Sequence, residues 1–224
     1  MPQKYGIIRY TAYFHEKIFL NLSCKAEKVL LLSLQIPIHM KTKLTFMIIL
    51  TALFASCSQK ETTLTLLETT DTHGRYDEFA NDALIIKQMK AELGDRLILL
   101  DNGDNLQGSV FQYCSNHDAE HPNLVSEVLN YFPYDAVCVG NHDIEAGRKV
   151  FDRVYSEAKM PVLAANVIDE STGEPYFTPY IILNRDGFKI AVLGLLTPYV
   201  VTWVPDRLRP GLHFEQLEAA AEKW

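Results

Sequence analysis

The chain has 224 residues, 48% of them hydrophobic, and a formal net charge of −7. That is length and apolar content enough for one ordinary domain with a real core, which excludes a mostly disordered protein. Lys and Arg form no stripe fit for a phosphate backbone, so a large nucleic-acid ligand is disfavoured, while a small phosphate ester is not.

The first sixty residues differ from the rest. From Met40 the chain reads "MKTKLTFMIILTALFASCSQKE", with Lys41 and Lys43 ahead of an apolar run that ends at Phe54, then Ala55 and Ser56 before Cys57. This is the layout of a secretory signal, and the run is too short for a bilayer, which needs about 20 residues. Cys57 after "LFAS" resembles the lipobox of bacterial lipoproteins, with Phe54 where Leu is usual. Residues 1–39 are therefore expected to be an upstream extension, 40–56 a lipoprotein-type signal peptide, 57–62 a short tether and 63–224 the globular part. The competing reading, a genuine cytoplasmic extension with 29–38 as a second apolar segment, meets the interruptions Gln35 and Pro37. From Cys57 onward the chain holds 14 basic and 26 acidic residues, an acidic protein expected to be exported to the periplasm or cell envelope and held to the membrane by a lipid anchor.

Beyond the tether, strands and helices alternate. "LTLLETTD" ends in Asp71, "LILLDNGD" in Asp104, and "AVCVGNHD" brings Asn141 and His142; each is a short apolar run stopped by polar residues. Between them "DALIIKQMKAEL", "NLVSEVLNYF" and "IEAGRKVFDRVYSEAK" carry helical spacing, the last as a single helix. The order β, α, β, α, β, α predicts neighbouring parallel strands. "YIILNRDGFKIAVLGLL" predicts a hairpin around Asp186 and Gly187, giving the mixed sheet an antiparallel portion. The fold class expected is α/β.

Cysteines offer no disulfide framework: Cys24 lies in the extension, Cys57 has its lipid role, and Cys138 in "AVCVG" reads as a small core residue. The spacing of Cys114, His117 and His121 hints at zinc, but "YCSNHDAEHPN" reads as a polar loop. Gly103 and Gly108 have P-loop spacing, yet Ser109 stands where the phosphate-binding Lys belongs, so a P-loop is rejected.

Parallel strands bring their carboxyl ends to one edge, so Asp71, His73, Asp104, Asn141 and His142 can share a crevice. Carboxylates, an amide and imidazoles form a mixed oxygen and nitrogen ligand set suited to Mn, Fe, Co, Ni or Zn. Gly103 and Gly140 allow the backbone to turn where a Cβ would obstruct the approach.

The series "DTHG", "NGDNLQGS", "GNHDIEAG" resembles the calcineurin-like metallophosphoesterases, in particular the branch of bacterial 5'-nucleotidases and 2',3'-cyclic-nucleotide 2'-phosphodiesterases, to which "QGS" and "AANV" (164–167) also point. The resemblance implies a four-layer α/β/β/α sandwich of mixed sheets and metal-dependent hydrolysis of a nucleotide or cyclic nucleotide. It implies two divalent metal ions, with Asp71 and His73 on the first, Asp104 bridging, Asn141 on the second, and His142 facing the leaving group. Glu145 lies where some members carry an acidic partner that orients this histidine. Members also carry later histidines in a Gly-His-x-His type motif and a C-terminal nucleotide-specificity domain, so 63–224 is expected to be the N-terminal part of a catalytic domain, apparently truncated and hydrolysing feebly alone. His213 in "PGLHFEQ" lacks a ligand's surroundings and reads as a surface residue. The alternative is a catalytically silent truncated lipoprotein remnant that keeps part of the metal site.

Overall fold

A computed structural model describes residues 8–10, 63–76 and 79–224. The expected signal peptide, Cys57, the tether and the apolar segment 29–38 lie outside the described residues.

Four strands, β2 (Leu64–Thr69), β3 (Leu97–Asp101), β4 (Ala136–Cys138) and β5 (Val162–Leu163), run parallel in chain order, and β1 (Ile8–Tyr10) pairs antiparallel with β2. Parallel neighbours need long crossovers. Helix α1 (Phe79–Leu93) joins β2 to β3, α2 (Val110–His117) and α3 (Leu124–Tyr131) join β3 to β4, and α4 (Asn141–Glu145) and α5 (Arg148–Glu157) join β4 to β5. The run "LILLD" of β3 is buried almost throughout because packing covers both faces of the strand, whereas β2, also paired on both edges, alternates. Phe151, Val154 and Tyr155 of α5 fall at helical spacing and pack with Val125 and Leu129 of α3 and with Leu97, Leu99 and Val137 of the sheet in one core.

Three local expectations need correction. The single helix over 144–159 is two: Gly147 has φ 92°, outside the helical region, and separates α4 from α5. The polar loop over 113–123 is helical through His117. Ser109 caps α2 by accepting from Gln112 N at 3.1 Å, and the buried Gln112 amide donates to Asn105 O, so local capping and one buried bond outweigh the polar composition. The hairpin forms as expected, β7 (Tyr180–Arg185) with β8 (Phe188–Leu193), and Asp186 and Gly187 both have positive φ, 48° and 89°. It is, however, its own two-stranded sheet, because Leu163 of β5 meets Thr178 rather than a hairpin strand.

A further antiparallel pair joins β6 (Val167–Asp169) to β9 (Leu212–Phe214), with His213 exposed. Two short helices, α6 (Val200–Trp203) and α7 (Leu217–Lys223), complete the described chain. Asn166 of "AANV" is fully buried, its amide donating to Leu196 O and Glu215 O at 2.6 and 3.0 Å and accepting from Leu196 N at 2.8 Å. That asparagine is a structural knot between the end of the hairpin and the chain after β9. The architecture is α/β with parallel and antiparallel sheets. Among the described residues, no helix is long and apolar enough to cross a membrane.

Candidate metal centre

The three parallel strands β2, β3 and β4 stop at Thr69, Asp101 and Cys138, and the polar residues follow within a few positions. Backbone bonds fasten the loops together: Asp71 N donates to Gly103 O at 3.1 Å, His73 N to Asp104 O at 3.2 Å, and Asn102 N to Thr69 O at 2.8 Å. The loop after β3 is fastened in turn to α4, since His142 N donates to Asp104 Oδ1 at 2.9 Å. Glycine is required at this seam. A Cβ on Gly103 would lie 2.4 Å from Gly140 N, and one on Gly140 would lie 2.2 Å from Asp104 Oδ1.

Three side chains from these loops meet. Donor atoms of His73, Asp104 and His142 lie within 4.8 Å of one another. The two imidazoles stand edge to face with centroids 4.9 Å apart, and Asp71 Oδ1 is 3.6 Å from His73 Nε2. Asn141 opens α4 with its amide nitrogen 3.5 Å from Glu145 Oε1. Asp71, His73 and Asp104 have φ of 54°, 48° and 59°; among the described residues only one other non-glycine, Asp186, has positive φ. Left-handed backbone costs an ordinary L-residue about 1–2 kcal/mol, so three such residues side by side mark a place where geometry is held against local preference. Mixed nitrogen and oxygen donors, partly exposed and gathered around one point, fit a divalent transition-metal ion. No such grouping forms around the other candidate: Cys114 is exposed, His117 Nδ1 lies 2.8 Å from Tyr113 O, and His121 Nδ1 lies 2.9 Å from Asp118 Oδ2.

The family model for calcineurin-like phosphoesterase matches residues 64–204. The chain belongs to the calcineurin-like phosphoesterase family. Family members bind divalent metals, and the named relatives are hydrolases. The chain is 28% identical over 158 residues to a 2',3'-cyclic-nucleotide 2'-phosphodiesterase/3'-nucleotidase of Haemophilus influenzae, covering 65% of this chain and 24% of the relative. To a 5'-nucleotidase of Vibrio cholerae it is 33% identical over 144 residues, covering 60% of this chain and 25% of the relative. The chain thus spans about a quarter of the length of these relatives. The crystal structure of calcineurin-like phosphoesterase YfkN from Bacillus subtilis superposes with a TM-score of 0.60 at 25% identity, over 71% of this chain and 56% of that one.

Around the histidines of this calcineurin-like phosphoesterase lie further polar groups in hydrogen-bond contact with them. Glu145 Oε2 is 3.0 Å from His142 Nδ1 and accepts from Gln107 Nε2 at 3.3 Å, while Gln107 O is 3.0 Å from His73 Nδ1. Such partners fix the tautomer and direction of an imidazole. The serine of "QGS" is the cap of α2, and its glutamine ties both histidines to the same loop. Cys138 is partly buried, and burial pushes its thiol up to about 11, which suits an inert packing role.

Deeper still, Thr69 Oγ1 donates to Asp101 Oδ2 at 2.6 Å, Asn105 Nδ2 to Asp101 Oδ1 at 2.6 Å, and Gly103 N to the same oxygen at 3.0 Å. In the sequence Asp101 is inconspicuous, because its position in "LLDNGD" resembles an ordinary strand end. Burial pushes its carboxyl up to about 7, against those three hydrogen bonds. Half-burial likewise raises the Asp104 carboxyl, against the bond from His142 N.

For Asp101 the raised value means that the folded state holds a proton the unfolded chain has released. Stability from this group is therefore fully present at pH below the unfolded value, about 4, and falls as pH rises through the window up to about 7. Chemical denaturation should show the native chain losing about 2–3 kcal/mol between pH 5 and pH 8 from this group. Asp101→Asn keeps an acceptor toward Gly103 N and offers Thr69 a donor, so most of that slope should vanish. An unchanged slope would place the titration elsewhere.

Proposed function

We propose that this chain carries the metal centre of a nucleotide phosphoester hydrolase, of the 5'-nucleotidase or 2',3'-cyclic-nucleotide 2'-phosphodiesterase type. The observation that carries the reading is the convergence of His73, Asp104 and His142 donors within 4.8 Å at the carboxyl ends of adjacent parallel strands. The names of the relatives point to nucleotides as the substrate class.

Asp71 and His73 would hold one divalent ion, Asn141 a second, and Asp104, between the loops, would serve both. Such a pair, when bound, supplies an acidified water and polarises the phosphoryl oxygens. The chain's own residues do the rest. The backbone clasp of the three loops fixes where the donors stand. His142, with Glu145 Oε2 3.0 Å from its Nδ1, would give a proton to the departing ribose oxygen. Any position that Asp71, His73, Asp104 and Asn141 leave open on an ion would be taken by water or a substrate oxygen.

The test is Mn²⁺ binding by calorimetry together with phosphate release from 5'-AMP and 2',3'-cyclic AMP, with and without a chelator. Absence of any Mn²⁺ binding would count against the reading. The role of His142 makes a separate expectation. His142→Ala should lower turnover of a nucleoside ester by about 10²–10⁴-fold, and Glu145→Gln by a smaller factor. Both should lose much less on a nitrophenyl ester, whose leaving group needs no proton. Equal losses on both substrates would assign His142 to metal binding instead.

Export with a lipid anchor at Cys57 belongs to the same proposal, supported by the basic, apolar and small-residue order of 40–57. Mass spectrometry of the cell-envelope form should find Cys57 as an acylated first residue; an intact segment 1–39 on that form would refute it.

A further inference from the structure

Asp143 follows His142 directly and is fully buried. Its carboxylate gathers five donors. Oδ1 accepts from Asn105 N at 2.7 Å and Leu106 N at 2.9 Å; Oδ2 accepts from Gly140 N at 2.8 Å, Asp104 N at 3.1 Å and Tyr155 Oη at 2.7 Å. Four of these are main-chain amides from the two loops that carry Asp104, Asn141 and His142. The fifth comes from Tyr155, a buried residue of α5 in the hydrophobic core. In return, Asp104 Oδ1 accepts from His142 N at 2.9 Å. The two loops therefore hold each other by exchange: the main chain of Asp104 rests on the side chain of Asp143, and the main chain of His142 rests on the side chain of Asp104.

We propose that Asp143, braced by Tyr155, is the positioning residue of the centre, the group that holds Asp104 in its left-handed backbone conformation and sets α4 so that Asn141 and His142 face it. This rests on the metal reading above for its functional consequence, although the clasp itself is a property of the folded chain.

Only a carboxylate satisfies the arrangement, because all five partners are donors and an ionised aspartate accepts on both oxygens. Asp143→Asn preserves the shape but turns an NH₂ toward at least two of those donors, leaving them facing like polarity in a buried place. Tyr155→Phe keeps the carboxylate and removes one donor, the brace toward the core. Neither residue touches a substrate, so the effect must run through Asp104 and α4.

The experiment compares the native chain with both variants, full length and metal-free, by amide hydrogen exchange, and then by Mn²⁺ calorimetry. In Asp143→Asn the amides of Asn105, Leu106 and Gly140 should lose at least tenfold in protection, while the amide of Tyr176, bonded to Val167 O at 2.7 Å in a separate part of the fold, stays protected. Mn²⁺ affinity should fall by about 10–100-fold, the range for partners that orient metal ligands, and in Tyr155→Phe by a few-fold. A residue that merely supported the fold would lower the melting temperature and leave the Mn²⁺ affinity of the folded protein unchanged, which overturns the proposal. If Asp143→Asn does not fold, Tyr155→Phe decides, and native Mn²⁺ affinity in that variant overturns the proposal. If the native chain takes up no Mn²⁺, the metal reading fails and the amide exchange decides alone: selective loss at those three amides supports the clasp, and unchanged protection overturns it.

Discussion

Asp104→Ala should weaken Mn²⁺ binding by two orders of magnitude or more and bring metal-dependent phosphate release down to the chelator-treated level. Two functions are lost together. The carboxylate is one of three side chains whose donor atoms converge within 4.8 Å, and its Oδ1 also receives His142 N at the start of α4. Loss of a partner that only orients a metal ligand costs about 10–100-fold in affinity, so loss of the ligand itself should exceed that. Asp104→Asn separates the two functions. The amide oxygen can still accept from His142 N, so the loop should keep its place and the melting temperature should stay within a few degrees, while the loss of charge still weakens cation binding. Calorimetry and thermal melting on both variants make the check. Native Mn²⁺ affinity in Asp104→Ala would remove this residue from the centre.

Gly140→Ala should cost both stability and the metal site, although one methyl group is the whole change. Gly140 has φ −93° and ψ 169°, a conformation that alanine adopts without strain. The cost is steric alone. The new Cβ would stand 2.2 Å from Asp104 Oδ1 and 2.3 Å from Asp104 N, and the second of these is backbone that cannot rotate away. Overpacking of this kind costs about 1–3 kcal/mol, which for a domain of this size lowers the melting temperature by about 2–12 °C. Relief by moving Asp104 would drag its carboxylate from His73 and His142, so Mn²⁺ affinity should fall in parallel. If melting temperature falls and Mn²⁺ affinity does not, the loops can separate without disturbing the donors, and the seam is structural only.

The α/β class, the hairpin at Asp186 and Gly187 and the placing of candidate ligands after apolar strand runs were all legible in the sequence. These depend on local chemistry: strand runs stopped by polar residues, turn glycines, helical spacing. The division of 144–159 at Gly147 and the capping of α2 by Ser109 were also locally encoded, but composition pointed the other way, and only the backbone angles and the Gln112 bond decide them. Asp143 and Asp101 belong to another category. In the sequence each is one more aspartate beside a candidate ligand, and nothing local says which of Asp101, Asp104 and Asp143 faces solvent and which faces inward. An acidic residue three positions after Gly140 at a helix start was a readable sign of an N-terminal cap. That the same carboxylate would also take amides from 104, 105 and 106 depends on β3 and β4 lying side by side, which brings loops some forty residues apart into hydrogen-bonding distance. The sequence by itself determined which side chains have the chemistry for a metal centre, because ligand type is written in residue identity. Which of them face one another and which stand behind as supports was decided only by the tertiary structure, because parallel pairing and burial set direction and distance.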